Sequence, residues 1–253
     1  MSSLRQGLVF GLISYLLLST GQAYSQHPLD GIKGADNRVR VQGNEEPWKA
    51  IGRINKAGRG FCTGVLISPD KVLTAAHCIW NKNTGKPIPG KYLHFLAGYH
   101  REEYLAASSI KRVIHSGQFV LQPEVQLDHV QHDWAILELK DPINNVCPIP
   151  LAKLSSLQLA QRGQNSFVVQ AGFSQDRPYI LTVHNRCQLK GKVKGKKLIA
   201  HDCDAINGDS GSPLLMETDE GLQVIAIHTS THHPYKGETL GLAIPGTSIL
   251  PKP

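Results

Sequence analysis

From Trp48 to Ile244 the chain is written in short apolar and β-branched runs separated by turn residues, and no stretch carries a sustained helical stripe. That texture limits the fold more than any single motif does. Gly64–Ser68, Lys71–Thr74, Tyr92–Ala97, Ile110–Ile114 and Trp134–Leu139 have strand length. So do Phe167–Gln170, Tyr179–Val183, Leu198–Ala200, Pro213–Met216, Val224–Ile227 and Leu240–Ile244. Between the two series, Val146-Cys147-Pro148-Ile149-Pro150-Leu151 is punctuated by proline and reads as a linker. Two series of about six strands each predict an all-β chain of two packed six-stranded antiparallel β-barrels. The N-terminal barrel is expected over 41–141 and the C-terminal one over 142–253, with Leu154–Ala160 as one or two helical turns.

The first 25 residues have a different composition. Arg5 precedes an apolar run from Leu8 to Leu18, and Ala23-Tyr24-Ser25 supplies small residues at the two positions a signal peptidase reads. The apolar run is too short to span a bilayer. An exported chain, secreted or periplasmic, is expected, cleaved near Ser25 and with no membrane span. Loss of Arg5 takes the formal charge from +7 to +6. Residues 26–40 are polar and glycine-rich without a period, and read as a propeptide or flexible arm. Five cysteines suit an oxidising compartment, and their odd number leaves at least one thiol unpaired. The five lysines of Lys190–Lys197 alternate with glycine and valine as in a solvated hairpin turn. No zinc-finger spacing or interleaved aromatics accompany them, so nucleic acid is not an expected partner.

Three blocks carry the chemistry. In Asn207-Gly208-Asp209-Ser210-Gly211-Ser212-Pro213, glycines bracket a tight turn that lifts a hydroxyl and aims backbone N–H groups at one point. Alone, such a turn is a polar loop. In Leu73-Thr74-Ala75-Ala76-His77-Cys78 a histidine stands beside a cysteine, and Cys62 lies sixteen positions earlier. A disulfide between Cys62 and Cys78 would brace the backbone at His77. Gln131-His132-Asp133-Trp134 places an acid at the entrance to an apolar strand. That acid is either a strand cap or the group that orients an imidazole. The order His77, Asp133, Ser210 excludes an esterase with a nucleophile elbow, which runs Ser, Asp, His. The elbow pattern fails too, because Ser212 stands where its last glycine belongs.

T-A-A-H-C, D-W-A-I-L and G-D-S-G-S-P, in that order, resemble the signature blocks of the chymotrypsin-fold serine peptidases, and the likeness runs from Pro47 to Pro245. The Ser-Gly-Ser-Pro ending looks more like the bacterial branch that includes the staphylococcal and bacillar glutamyl endopeptidases. The resemblance implies an active site in the cleft between the barrels, acting on a protein or peptide substrate as a monomer, without cofactor or metal. It assigns Ser210 as nucleophile, His77 as general base and Asp133 as orienter, with the Gly208 and Ser210 N–H groups as oxyanion hole. It also makes Cys187 and Cys203 the natural second disulfide, leaving Cys147 as a buried thiol.

Two clues to specificity disagree. Asp204 lies six residues before Ser210, where trypsin-like members carry the acid that pairs with Lys or Arg. His228 resembles the histidine that faces an acidic side chain in glutamyl endopeptidases, yet Ala205 stands where those enzymes place Thr or Ser. Asp204, Ala205 and His228 are all candidates for the substrate pocket. Asp209 occupies the position that pairs with a new amino terminus in animal zymogens, but no R-I-V-G-G stands upstream. The alternative is a catalytically minor secreted binding protein on the same fold, holding polyanions with the Lys190–Lys197 loop.

Overall fold

The computed structural model of the protein describes residues 29–58, 60–122, 126–154, 158, 167–233 and 238–249. The signal segment lies outside the described residues, as does most of the 154–160 stretch expected to turn helically. The first half contains β1 (Arg38–Val41), β2 (Ile51–Lys56), β3 (Phe61–Ser68), β4 (Lys71–Thr74), the short pair β5 (Trp80–Asn81) and β6 (Lys86–Pro87), β7 (Leu93–Ala97), β8 (Ala106–His115) and β9 (Ala135–Leu139). The second contains β10 (Phe167–Gly172), β11 (Leu181–Lys192), β12 (Ile199–His201), β13 (Pro213–Thr218), β14 (Gly221–His232) and β15 (Leu240–Pro245).

Strands β2-β3-β4-β9-β8-β7 close into an antiparallel barrel around Ile51, Ile54, Leu66, Leu73, Phe95 and Leu137, all fully buried. Each such side chain contributes roughly 1.5–3 kcal/mol by leaving water. In the second half the order is β1-β11-β10-β13-β14-β15-β12, and pairing of β11 with β12 closes six of these strands, with β1 added along β11. The fold is therefore the expected pair of six-stranded antiparallel barrels. Among the described residues no helix is long and apolar enough to cross a membrane.

Several details depart from the sequence expectation. Strand β2 was not legible: Ile51-Gly52-Arg53-Ile54-Asn55-Lys56 has only two large apolar residues, and it is extended because β3 and β7 pair with it from both sides. Strands β11 and β14 run for 12 residues each, well beyond their apolar runs. Residues 30–38 are packed against the C-terminal barrel instead of forming a loose arm, and β1 belongs to that barrel's sheet although residue 41 was expected in the first. Cys147 is exposed, not buried, because Val146 and Ile149 take the inward positions of the linker. The Lys190–Lys197 cluster forms the β11–β12 turn, with Lys190 paired to Asp202 and Lys196 to Asp128.

Candidate active site

His77 and Asp133 meet because of strand register. Strands β4 and β9 are antiparallel, with Thr74 opposite Ala135, so the end of β4 lies beside the start of β9. His77 follows β4 on a 3-10 turn, Ala76–Ile79, and Asp133 stands two residues before β9. The Asp133 carboxylate takes two hydrogen bonds from the same residue: the His77 backbone N–H donates to Oδ1 at 2.8 Å and the Nδ1 side of the ring lies 2.7 Å from Oδ2. With Asp133 only 6% exposed, the pair fixes both the position and the tautomer of the ring. Cys78 is joined to Cys62 on β3, which ties the turn to the barrel wall. A bridge of this span contributes roughly 3 kcal/mol on loop-entropy grounds.

The Ser210 turn comes from the second barrel and is pinned from both sides. Gly211 N–H donates to His228 O at 2.8 Å and His228 N–H to Ser212 O at 2.8 Å, which extends the β13–β14 ladder into the turn. Ser212 is fully buried, and its hydroxyl accepts from Gln170 Nε2 at 2.6 Å. Across the barrel interface Thr63 on β3 donates its N–H to Ser210 O at 3.0 Å and its hydroxyl to Gly208 O at 3.0 Å. The approach leaves no room for a side chain at Gly211: a Cβ there would lie 2.2 Å from Thr74 Oγ1, and φ is +82°.

Among the described residues, two backbone N–H groups at this turn have no acceptor. Asn207 O accepts from Gln175 N–H at 2.7 Å, and Asp209 O accepts from Ser212 N–H at 2.9 Å. Both following peptide bonds are trans, so fixing each carbonyl inward turns the N–H of Gly208 and of Ser210 the opposite way. Neither N–H has a backbone or side-chain acceptor among the described residues, and Gly208, with φ of +99°, lines the cleft beside Ser210 and His77. No hydrogen bond joins His77 Nε2 to Ser210 Oγ; such catalytic bonds often tighten only in the substrate complex. Asp209 is buried, receiving Ile206 N–H and the Ser174 hydroxyl on Oδ2, while Oδ1 has no partner among the described residues. Burial pushes its pKa up to about 6 despite those two bonds.

The specificity candidates separate clearly in space. Asp204 is fully buried and its carboxylate is occupied: its Oδ1 accepts from Lys33 N–H at 2.7 Å and its Oδ2 from Asn37 N–H at 3.0 Å. Ala205 is buried as well, with its N–H donating to Gly31 O. His228 lines the cleft with Ser210 and His77. Its tautomer follows from its neighbours. Cys203 N–H donates to His201 Nδ1 at 3.2 Å, so neutral His201 carries its proton on Nε2, 3.1 Å from His228 Nδ1. His228 Nδ1 is thus the acceptor, and Nε2–H is left as a donor on the other side of the ring. Burial drives the His228 pKa down to about 3, with nearby Lys33 and His77 acting in the same direction, and burial holds His201 well below its ordinary value. Both rings are neutral in the free protein. His201 and Lys33 escaped the sequence reading. A histidine ending the apolar run Leu198–Ala200 was the only signal for the first, and no local pattern marked the second.

Comparison with known proteins agrees with this architecture. The family profile described as Trypsin matches residues 36–252. Coagulation factor IX of Cavia porcellus is 25% identical, over 75% of this chain and 72% of that protein. Vitamin K-dependent protein C of Rattus norvegicus is 27% identical over 71% of this chain, which spans only 42% of that protein. A solved structure described as Glu endopeptidase in complex with MPD shares the fold, with a TM-score of 0.66 and 20% identity over 85% of this chain and 94% of the other.

Proposed function

Starting from the fact that the chain belongs to the trypsin family and is a serine endopeptidase, we propose that it is exported and cuts peptide bonds through an acyl-enzyme on Ser210. In this reading Ser210 Oγ attacks the carbonyl carbon while His77 Nε2 takes its proton, and Asp133 holds the ring and stabilises the imidazolium. The oxyanion sits against the N–H groups of Gly208 and Ser210. Each such donor is typically worth roughly 3 to 4 kcal/mol in the transition state. His77 then gives the proton to the departing amine, and water repeats the sequence to release the acyl group. The observation that carries the proposal is the 2.7 Å His77–Asp133 pair facing, across one cleft, a serine turn whose two free N–H groups are held outward by pinned carbonyls. Export is supported by the charged and apolar segment before residue 25 and by the two disulfides.

At the cleaved residue the reading is an acidic side chain. His228 offers a neutral Nε2–H donor in the cleft, whereas the Asp204 carboxylate is engaged by Lys33 and Asn37. The likeness to glutamyl endopeptidases points the same way. Two measurements test the proposal. Ser210→Ala is expected to abolish hydrolysis and labelling by a fluorophosphonate, and an active Ser210→Ala protein would end the acyl-enzyme reading. Cleavage of a peptide library is expected to favour Glu or Asp at the cleaved residue, and a preference for Lys or Arg would overturn the role of His228.

A further inference from the structure

The cleft has two lobes that meet at His77, Lys82, Asn207 and Ser210, and only one of them contains His228. The other passes the Cys62–Cys78 disulfide and is lined by Lys56, with Lys82 at the junction of the two lobes. It adjoins a further hollow that shares Lys56 and adds Lys86. Among the described residues no Asp or Glu lines either hollow. Lys56 is the unusual group. It is half-buried; elsewhere Lys49, Lys71, Lys190 and Lys196 each pair with a carboxylate, and half-buried Lys33 bonds the carbonyls of Gly31 and Cys203. The Lys56 amine, by contrast, has Cys62 Sγ at 3.8 Å as its hydrogen-bond partner, a weak acceptor. Burial lowers its pKa, and the charge of Lys82 lowers it further. Both effects oppose a positive charge there and would be relieved by an incoming carboxylate.

We propose that this lobe receives the leaving-group half of the substrate and that Lys56, supported by Lys82 and Lys86, selects peptides with Asp or Glu in the first positions after the cleaved bond. The direction of the substrate rests on the reading of His228 as the group that meets the cleaved residue. With that side chain in one lobe, the chain beyond the scissile bond runs into the other. Lys56 is a specificity residue here and takes no part in bond making.

The test uses internally quenched peptides identical except for Glu or Gln at the first or second leaving-group position. The wild-type protein is expected to favour Glu by roughly tenfold in kcat/KM, the scale of one charge-assisted hydrogen bond at a partly exposed site. The ratio should fall towards one in Lys56→Met, persist in Lys56→Arg and shrink with added salt. A wild-type ratio near one, or a tenfold ratio that survives in Lys56→Met combined with Lys82→Gln, overturns the proposal. Substrates ending in p-nitroanilide have no leaving-group residues and separate the two readings. Their Glu-to-Gln ratio at the cleaved residue should be the same in wild type and Lys56→Met. A change in that ratio would put the acyl half in the Lys56 lobe and refute the proposal. An anilide series with no acidic preference in either protein would refute the His228 reading instead.

Discussion

Asp204 gives the sharpest test of how this site is built, because its sequence position and its surroundings assign it different work. In Asp204→Ala the N–H groups of Lys33 and Asn37 lose acceptors at 2.7 and 3.0 Å. A hydrogen bond to a charged group is worth roughly 1.5–3 kcal/mol, so two such losses with the segment held in place amount to on the order of 3–6 kcal/mol. The segment has a cheaper course. Residues 30–37 run along the surface ahead of β1, and by lifting off they let water satisfy both N–H groups. Asp36 would leave with the segment, but the Arg38 guanidinium would keep its pair with Asp176 and the β1 ladder would stay in place. The global loss is therefore capped at the docking energy of the segment, about 1–3 kcal/mol for the few bonds involved. Hydrogen exchange on Asp204→Ala should show protection at Lys33 and Asn37 falling at least about tenfold, as a loss of roughly 1.4 kcal/mol requires. Urea midpoints should fall by the matching amount, with the preference at the cleaved residue unchanged. Undiminished protection, or a changed preference, would refute the reasoning.

Two further predictions follow from the same geometry. In Asp133→Asn the amide would present a donor to His77 Nδ1 and select the tautomer with the proton on Nε2, so kcat should fall by about 10⁴ while the urea midpoint moves little; a fall under tenfold would contradict the orienting role. Asp209 titrates from 3.8 in the unfolded chain to about 6 when folded. The native state then binds the extra proton, so its contribution is full below pH 3.8 and is lost as pH rises through 6, at most roughly 3 kcal/mol in all. The stability difference between wild type and Asp209→Asn should drift by that sign between pH 4 and 6, and a flat difference would show that Asp209 does not titrate there.

Much of this protein is legible without coordinates, for local reasons. Strand texture predicts the two barrels because alternating runs and turn residues act over a few positions. The Ser210 block announces its turn because glycine at positive φ is needed at Gly208 and Gly211. His77 beside Cys78 reveals a braced histidine because the bridge partner is near in sequence. Where strand identity depended on neighbours, as in β2, the local signal was absent. The exposure of Cys147 was likewise decided by which linker residues, Val146 and Ile149, found room inside.

Specificity lies beyond that reach. Asp204 and His228 both stand at offsets from Ser210 that fit a pocket, and nothing in the chain ranks them. Their roles diverge through contacts between distant segments: Lys33 reaches Asp204 across 171 residues, and His201 sets the His228 tautomer across 27. The cationic lobe is of the same kind, since Lys56 and Lys82 come to line one hollow only when β2 and the stretch after β5 flank the same cleft. The sequence by itself determined the two barrels and the order of the three chemical blocks, because those depend on short-range geometry. Which charges face the substrate was decided by the tertiary structure alone, because a carboxylate or an ammonium points wherever packing brings it a partner.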